Sequence, residues 1–170
     1  MDSLALVMLS VLPALVIAAA ISDLTTMTIP NWISAILVVA FFPAAFLVGL
    51  SPWLLLTHVG VGFAALVAGA GMFALRWIGG GDAQLMAAAC LWLGLQGSGA
   101  FLLWTGVIGG GFCLLLIAAR SSPLPISAFG PPWVGRLMEP KGDIPYGVAI
   151  AAGALMAFPA SGLVSAFSGG

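Results

Sequence analysis

The chain has 170 residues, of which 62% are hydrophobic and only 5% charged, against about 25% charged in an ordinary soluble domain. With a mean hydropathy of +1.24 and four Lys or Arg against five Asp or Glu, it cannot clothe a water-facing surface. A soluble enzyme, a nucleic-acid binder and a disordered chain are excluded, since no basic patch is present to meet phosphates. Cys90 and Cys113, without CxxC spacing, make neither a disulfide framework nor a zinc site. The composition is that of a membrane protein.

A helix needs about 20 apolar residues to cross roughly 30 Å of hydrocarbon. Runs between proline, glycine and charge predict six spans, at residues 4–21, 32–50, 53–77, 83–95, 99–119 and 145–164. The expected fold is therefore an all-α, polytopic bundle of six transmembrane helices, one domain over residues 1–170. The fourth run is short, so it begins inside the glycines at 79–81 or sits tilted in a thinned bilayer. Ala18-Ala19-Ala20 resembles a signal-peptidase site, but the stretch before it carries Asp2 and no Lys or Arg, which is wrong for a secretory signal. Only one polar loop, residues 120–143, breaks the succession of tight turns.

Orientation follows from the basic residues. Arg76 ends the third run, and Arg120, Arg136 and Lys141 lie in the polar loop. Six spans put all four on one face, which the positive-inside rule makes cytoplasmic. Both termini then face outward, and Asp23 and Asp82 share the cytoplasmic face. Gly60, Gly62, Gly69 and Gly71, with Gly106-x-x-x-Gly110, mark places where helices can pack closely.

A carboxylate inside hydrocarbon costs about 2.5–3.5 kcal/mol at a helix centre. Asp23 follows an apolar run and precedes a polar turn with Thr25, Thr26 and Thr28 that ends Ile29-Pro30-Asn31, where the proline restarts a helix. Asp82 follows three glycines, a backbone that can approach another chain closely. Each alone reads equally well as a solvated helix end. As a pair held close together they cannot both ionise easily, so one keeps a proton while the other takes one from water. That is the logic of aspartic proteolysis. Magnesium or calcium would want more oxygen ligands than these two. The single histidine, His58, lies about 18 residues before Arg76, roughly 27 Å along a helix, and reads as an interfacial residue. No metal and no other cofactor is expected.

These residues resemble a known family. Gly79-Gly80-Gly81-Asp82 is similar to the GxGD motif, and the stretch from Asp23 to Ile29-Pro30-Asn31 resembles the first-aspartate motif of type IV prepilin peptidases. Ile144-Pro145-Tyr146-Gly147 resembles the family's late Pro-aromatic-Gly segment entering the last helix. The resemblance implies a bacterial inner-membrane aspartic endopeptidase that removes leaders from prepilins at the cytoplasmic face. It implies Asp23 and Asp82 as the catalytic pair, with Gly79, Gly81, Pro30 and Asn31 as motif or substrate support. The partners it implies are a prepilin substrate and membrane lipid.

Departures from the pattern matter too. Long family members carry a cysteine tetrad linked to N-methylation of the pilin. No tetrad occurs here, so no N-methyltransferase domain is expected and the chain resembles the short Flp, or tight-adherence, branch and the archaeal preflagellin peptidases. Family members often carry Arg or Lys between the first Asp and Ile-Pro, where this chain has Thr25, Thr26, Met27 and Thr28. Glu139 and Asp143 read as solvated loop charges. Two other readings stay open: a presenilin-like GxGD intramembrane protease, disfavoured because Ser22 rather than Tyr precedes Asp23, and a small ion or solute carrier using the carboxylates.

Overall fold

A computed structural model describes residues 2–121, 131–140 and 142–169. Among these no strand occurs, as an all-α chain requires. The helices are α1 (Asp2–Thr26), α2 (Asn31–Leu47), α3 (Pro52–Ala74), α4 (Gly80–Arg120), α5 (Pro132–Leu137), α6 (Gly147–Ala157) and α7 (Gly162–Ser168), with a 3₁₀ turn at Phe158–Ala160. Lys141 and residues 122–130 of the expected polar loop lie outside the described residues.

Four stretches are long and apolar enough to cross a membrane: Ser3–Thr26, Pro52–Ala74, Gly80–Arg120 and Gly147–Ser168. α2 is a shorter apolar helix of 17 residues. The expected fourth and fifth spans together form α4, 41 residues whose two helical limbs meet at the non-helical Gly94 rather than at residues 96–98. A straight helix of that length would be about 60 Å long. Instead both ends of α4 meet the segment around Asp143. Asp82 shares a cavity with Asp143, and Arg120 donates a hydrogen bond to the Asp143 carbonyl. The chain therefore folds back at Gly94.

Glycine makes that reversal possible. Gly94 has φ 63° and ψ −170°, a region open essentially to glycine alone. A Cβ there would sit 2.5 Å from His58 Nε2. His58 is 2% exposed, and its Nδ1–H donates to the Leu91 carbonyl at 2.8 Å, near the break in the helical ladder. The expected interfacial histidine is thus a buried plug at the turn. The physical reason is that the non-helical residue leaves room for the ring and a polar group for it to meet.

The limb of α4 before Gly94 is only about 20 Å long. It tolerates this because residues 87–94 are buried among the neighbouring helices. Trp92 is fully buried and donates its Nε1–H to the Leu37 carbonyl of α2 at 2.8 Å. Close helix approach rests on Gly62 and Gly69, where a Cβ would lie 2.9 Å from Leu91 Cβ and 3.1 Å from Ala83 Cβ, and on Gly109 and Gly153 between α4 and α6. Gly60, Gly71, Gly106 and Gly110, expected in the same role, have open space beside them. Spacing alone marks a small-residue face, but which face meets a neighbour is set by the rotation of each helix.

Candidate active site

On α1 the buried residues Ala5, Leu9, Leu12, Val16 and Ala19 recur every three or four positions, a single helical stripe. Asp23 is the next member of that stripe and is 6% exposed. The helix thus carries its carboxylate inward, not into solvent. α1 then stops at a turn that closes on itself. Met27 takes φ 56°, Ser22 Oγ donates to the Thr28 carbonyl at 2.9 Å, and Thr26 Oγ1 donates to the Ser22 carbonyl at 2.7 Å. The polar threonine turn is structural, satisfied by its own backbone.

Asp82 sits in the first turn of α4, where a carboxylate suits the unpaired N–H groups of a helix start. Its Oδ2 accepts the Gly79 N–H at 3.2 Å, the carboxylate half of a capping box. A Cβ on Gly79 would stand 2.9 Å from that oxygen, and one on Gly81 would stand 2.9 Å from Ile29 Cβ. Gly80, between them, meets only ordinary contact at 3.5 Å. The G-x-G spacing therefore reflects two close approaches with a permissive residue between.

Asp23 and Asp82 line one cavity of about 360 Å³, with Met27, Arg76, Trp77, Ile78, Gly79 and the wall formed by residues 143–146. Arg76 reaches the cavity from the end of α3, where it occupies a left-handed position (φ 60°) with Arg76 N–H bonded to the Phe73 carbonyl and Trp77 N–H to the Met72 carbonyl. This is the Schellman pattern that Gly49 makes at the end of α2, but with arginine where glycine is the usual residue.

Pro30 caps α2 with an extended backbone, and Asn31 opens that helix, but neither reaches this cavity. Asn31 lines a separate apolar groove of about 590 Å³ between α2, α3 and α4. Their neighbour Ile29 packs against Gly81 and Gly147 instead. Gly147 is the main residue that sequence reasoning left unassigned. Its N–H donates to Asp23 Oδ2 at 2.7 Å, and a Cβ on it would lie 2.8 Å from the same oxygen. The Pro145-Tyr146-Gly147 string was its signal. His58, at the other end of the bundle, takes no part. No cluster of three or more metal-ligating side chains occurs among the described residues.

A sequence model of the type IV leader peptidase family matches residues 10–114, a stretch that carries both aspartates and the Gly79–Gly81 turn. The chain belongs to that family. No curated protein and no solved structure matches it. The leader peptidase match ends before Arg120 and before residues 142–147, so the wall that bonds Asp23 comes from outside the matched stretch.

Proposed function

We propose that the protein is a membrane-embedded aspartic endopeptidase that removes the leader from Flp-type prepilins, with Asp23 and Asp82 as its catalytic pair. The observation that carries this reading is the convergence of two carboxylates, 59 positions apart in sequence, on one cavity in a leader peptidase family chain. The ionised aspartate takes a proton from a water, which attacks the scissile carbonyl. The protonated aspartate donates to the developing oxyanion, and the proton gained from water passes to the leaving amine as the C–N bond breaks.

The six-span arrangement belongs to the same proposal, the two limbs of α4 each counting as a crossing. Arg76, Arg120 and Arg136 gather at the end that holds the aspartates: Arg76 lines the cavity, Arg120 bonds Gly142 and Asp143, and Arg136 bonds the Thr25 carbonyl. By the positive-inside rule that end faces the cytoplasm of a bacterial inner membrane, with both termini outside. The prepilin's apolar helix lies in the bilayer and presents its leader junction at the cytoplasmic interface. Incubating the purified protein with Flp-type prepilins and sequencing the new N-terminus tests the reading. A single cut at the leader junction, absent with Asp82→Asn protein, is expected; an uncut prepilin, or a folded Asp82→Asn protein that still cuts, overturns it.

A further inference from the structure

The segment at residues 142–145 has neither helix nor strand of its own, yet it forms a wall of the cavity and leads into the Gly147 N–H that bonds Asp23. A stretch without a regular ladder keeps its shape only through anchors supplied from elsewhere. One side chain supplies most of them. Arg120, the last residue of α4, donates Nε–H to the Leu137 carbonyl, Nη1–H to the Gly142 carbonyl and Nη2–H to the Asp143 carbonyl, each at 2.9 Å. We propose that Arg120 is a positioning residue for the peptidase site, its guanidinium bracket holding residues 142–147 so that Gly147 keeps its hydrogen bond to Asp23.

The chemistry of the group suits that work. Guanidinium is planar, with five N–H donors in a fixed fork, so it can bind three carbonyls from two chain segments and hold them at fixed spacing. A lysine at the same place is a single point charge on a flexible stem and cannot reproduce the fork. Lysine does keep what a merely structural role would need, a positive charge at a helix C-terminus and on the cytoplasmic side. Arg136 adds a second tie: it joins α5 to the Thr25 carbonyl, two residues beyond Asp23. One arginine thus binds the segment that leads to Gly147, and another binds the helix end that carries Asp23.

The proposal rests on the peptidase reading, and the test separates the two. Wild-type, Asp23→Asn, Arg120→Lys and Gly142→Val proteins are placed in lipid nanodiscs, and initial rates are measured on a precursor with a basic leader and an apolar helix. Arg120→Lys is expected to lose roughly 10- to 100-fold in kcat, the scale of a misplaced catalytic group, with KM within about twofold in protein that remains folded. Gly142→Val leaves Arg120 intact but crowds the segment that it holds. Its Cβ would lie 3.1 Å from the Arg136 carbonyl oxygen and 3.3 Å from that of Glu139. The same loss of kcat is expected, and this variant decides the matter if Arg120→Lys does not fold. Wild-type kcat in a folded variant, or a loss confined to KM, overturns the role of Arg120 while active wild type and dead Asp23→Asn leave the peptidase reading standing. A wild-type protein that leaves the precursor uncut overturns both.

Discussion

Gly147 and Asp23 are 124 positions apart, and the backbone N–H of the first donates to Oδ2 of the second at 2.7 Å in a buried site. The hydrogen bond requires the start of α6 to lie directly against the end of α1. That contact is possible only because Gly147 has no side chain: a Cβ would stand 2.8 Å from the carboxylate oxygen and 2.9 Å from Ile29 Cδ1. One glycine thus joins the last large helix to the first aspartate.

Gly147→Ala is expected to push Asp23 off its position. A displacement near 1 Å at a catalytic group costs about 100-fold in rate. Overpacking at a tight contact costs about 1–3 kcal/mol of stability. Steady-state kinetics and thermal melting of the purified variant measure both, and unchanged kcat would show that the N–H bond to Asp23 is dispensable.

Asp23→Asn and Asp82→Asn should each abolish leader removal, and the double variant should be little worse than either. Residues that act as one unit show such non-additivity. Asp→Glu at either position should fail nearly as badly, because an added methylene moves the carboxyl out of register. Glu139→Gln, an exposed side chain away from the cavity, should keep most activity. Additive losses would mean that the two carboxylates act independently.

Gly94→Ala should be among the most destabilising single changes in the chain. It combines a backbone conformation costing about 1–3 kcal/mol for a non-glycine residue with a methyl driven into the His58 ring. His58→Ala in the same chain should relieve the clash but not the backbone strain, so it should restore stability only in part. Detergent-titration unfolding of the single and double variants gives the comparison, and full recovery would assign the whole cost to the ring.

Trp92→Phe keeps most of the ring volume and removes the donor to the Leu37 carbonyl. The Leu37 carbonyl lies inside α2 and keeps its helical donor, so losing the indole N–H costs about 0.5–1.5 kcal/mol. The loss should be read in stability, with kcat of the surviving folded protein unchanged, since Trp92 does not line the cavity.

In a background lacking Cys90 and Cys113, a cysteine at Gln96 should be labelled by a membrane-impermeant reagent from outside intact cells, and one at Glu139 only after lysis. The two positions follow the turn at Gly94 and the end of α5. Labelling of both from the same side would break the six-span arrangement.

The membrane class, the all-helical architecture and the sharing of one end of the bundle by Asp23 and Asp82 were legible in the sequence, because hydropathy and the cost of a carboxylate near hydrocarbon are local properties. Asp23 could even have been placed inward from the stripe Ala5, Leu9, Leu12, Val16, Ala19, which it continues. Other features could not be read that way. The break at Gly94 needs His58 from another helix to fill the space it opens. The choice of Gly62 and Gly69 over Gly60 and Gly71 depends on which face of α3 turns toward α4. The hydrogen bonds of Gly147 and Arg120 reach across the chain, and even the Pro145-Tyr146-Gly147 string does not say which atom the Gly147 N–H meets. Sequence determines where a polar group is costly; the tertiary structure alone decides which distant backbone atom meets it, because that depends on how the helices are rotated and packed against one another.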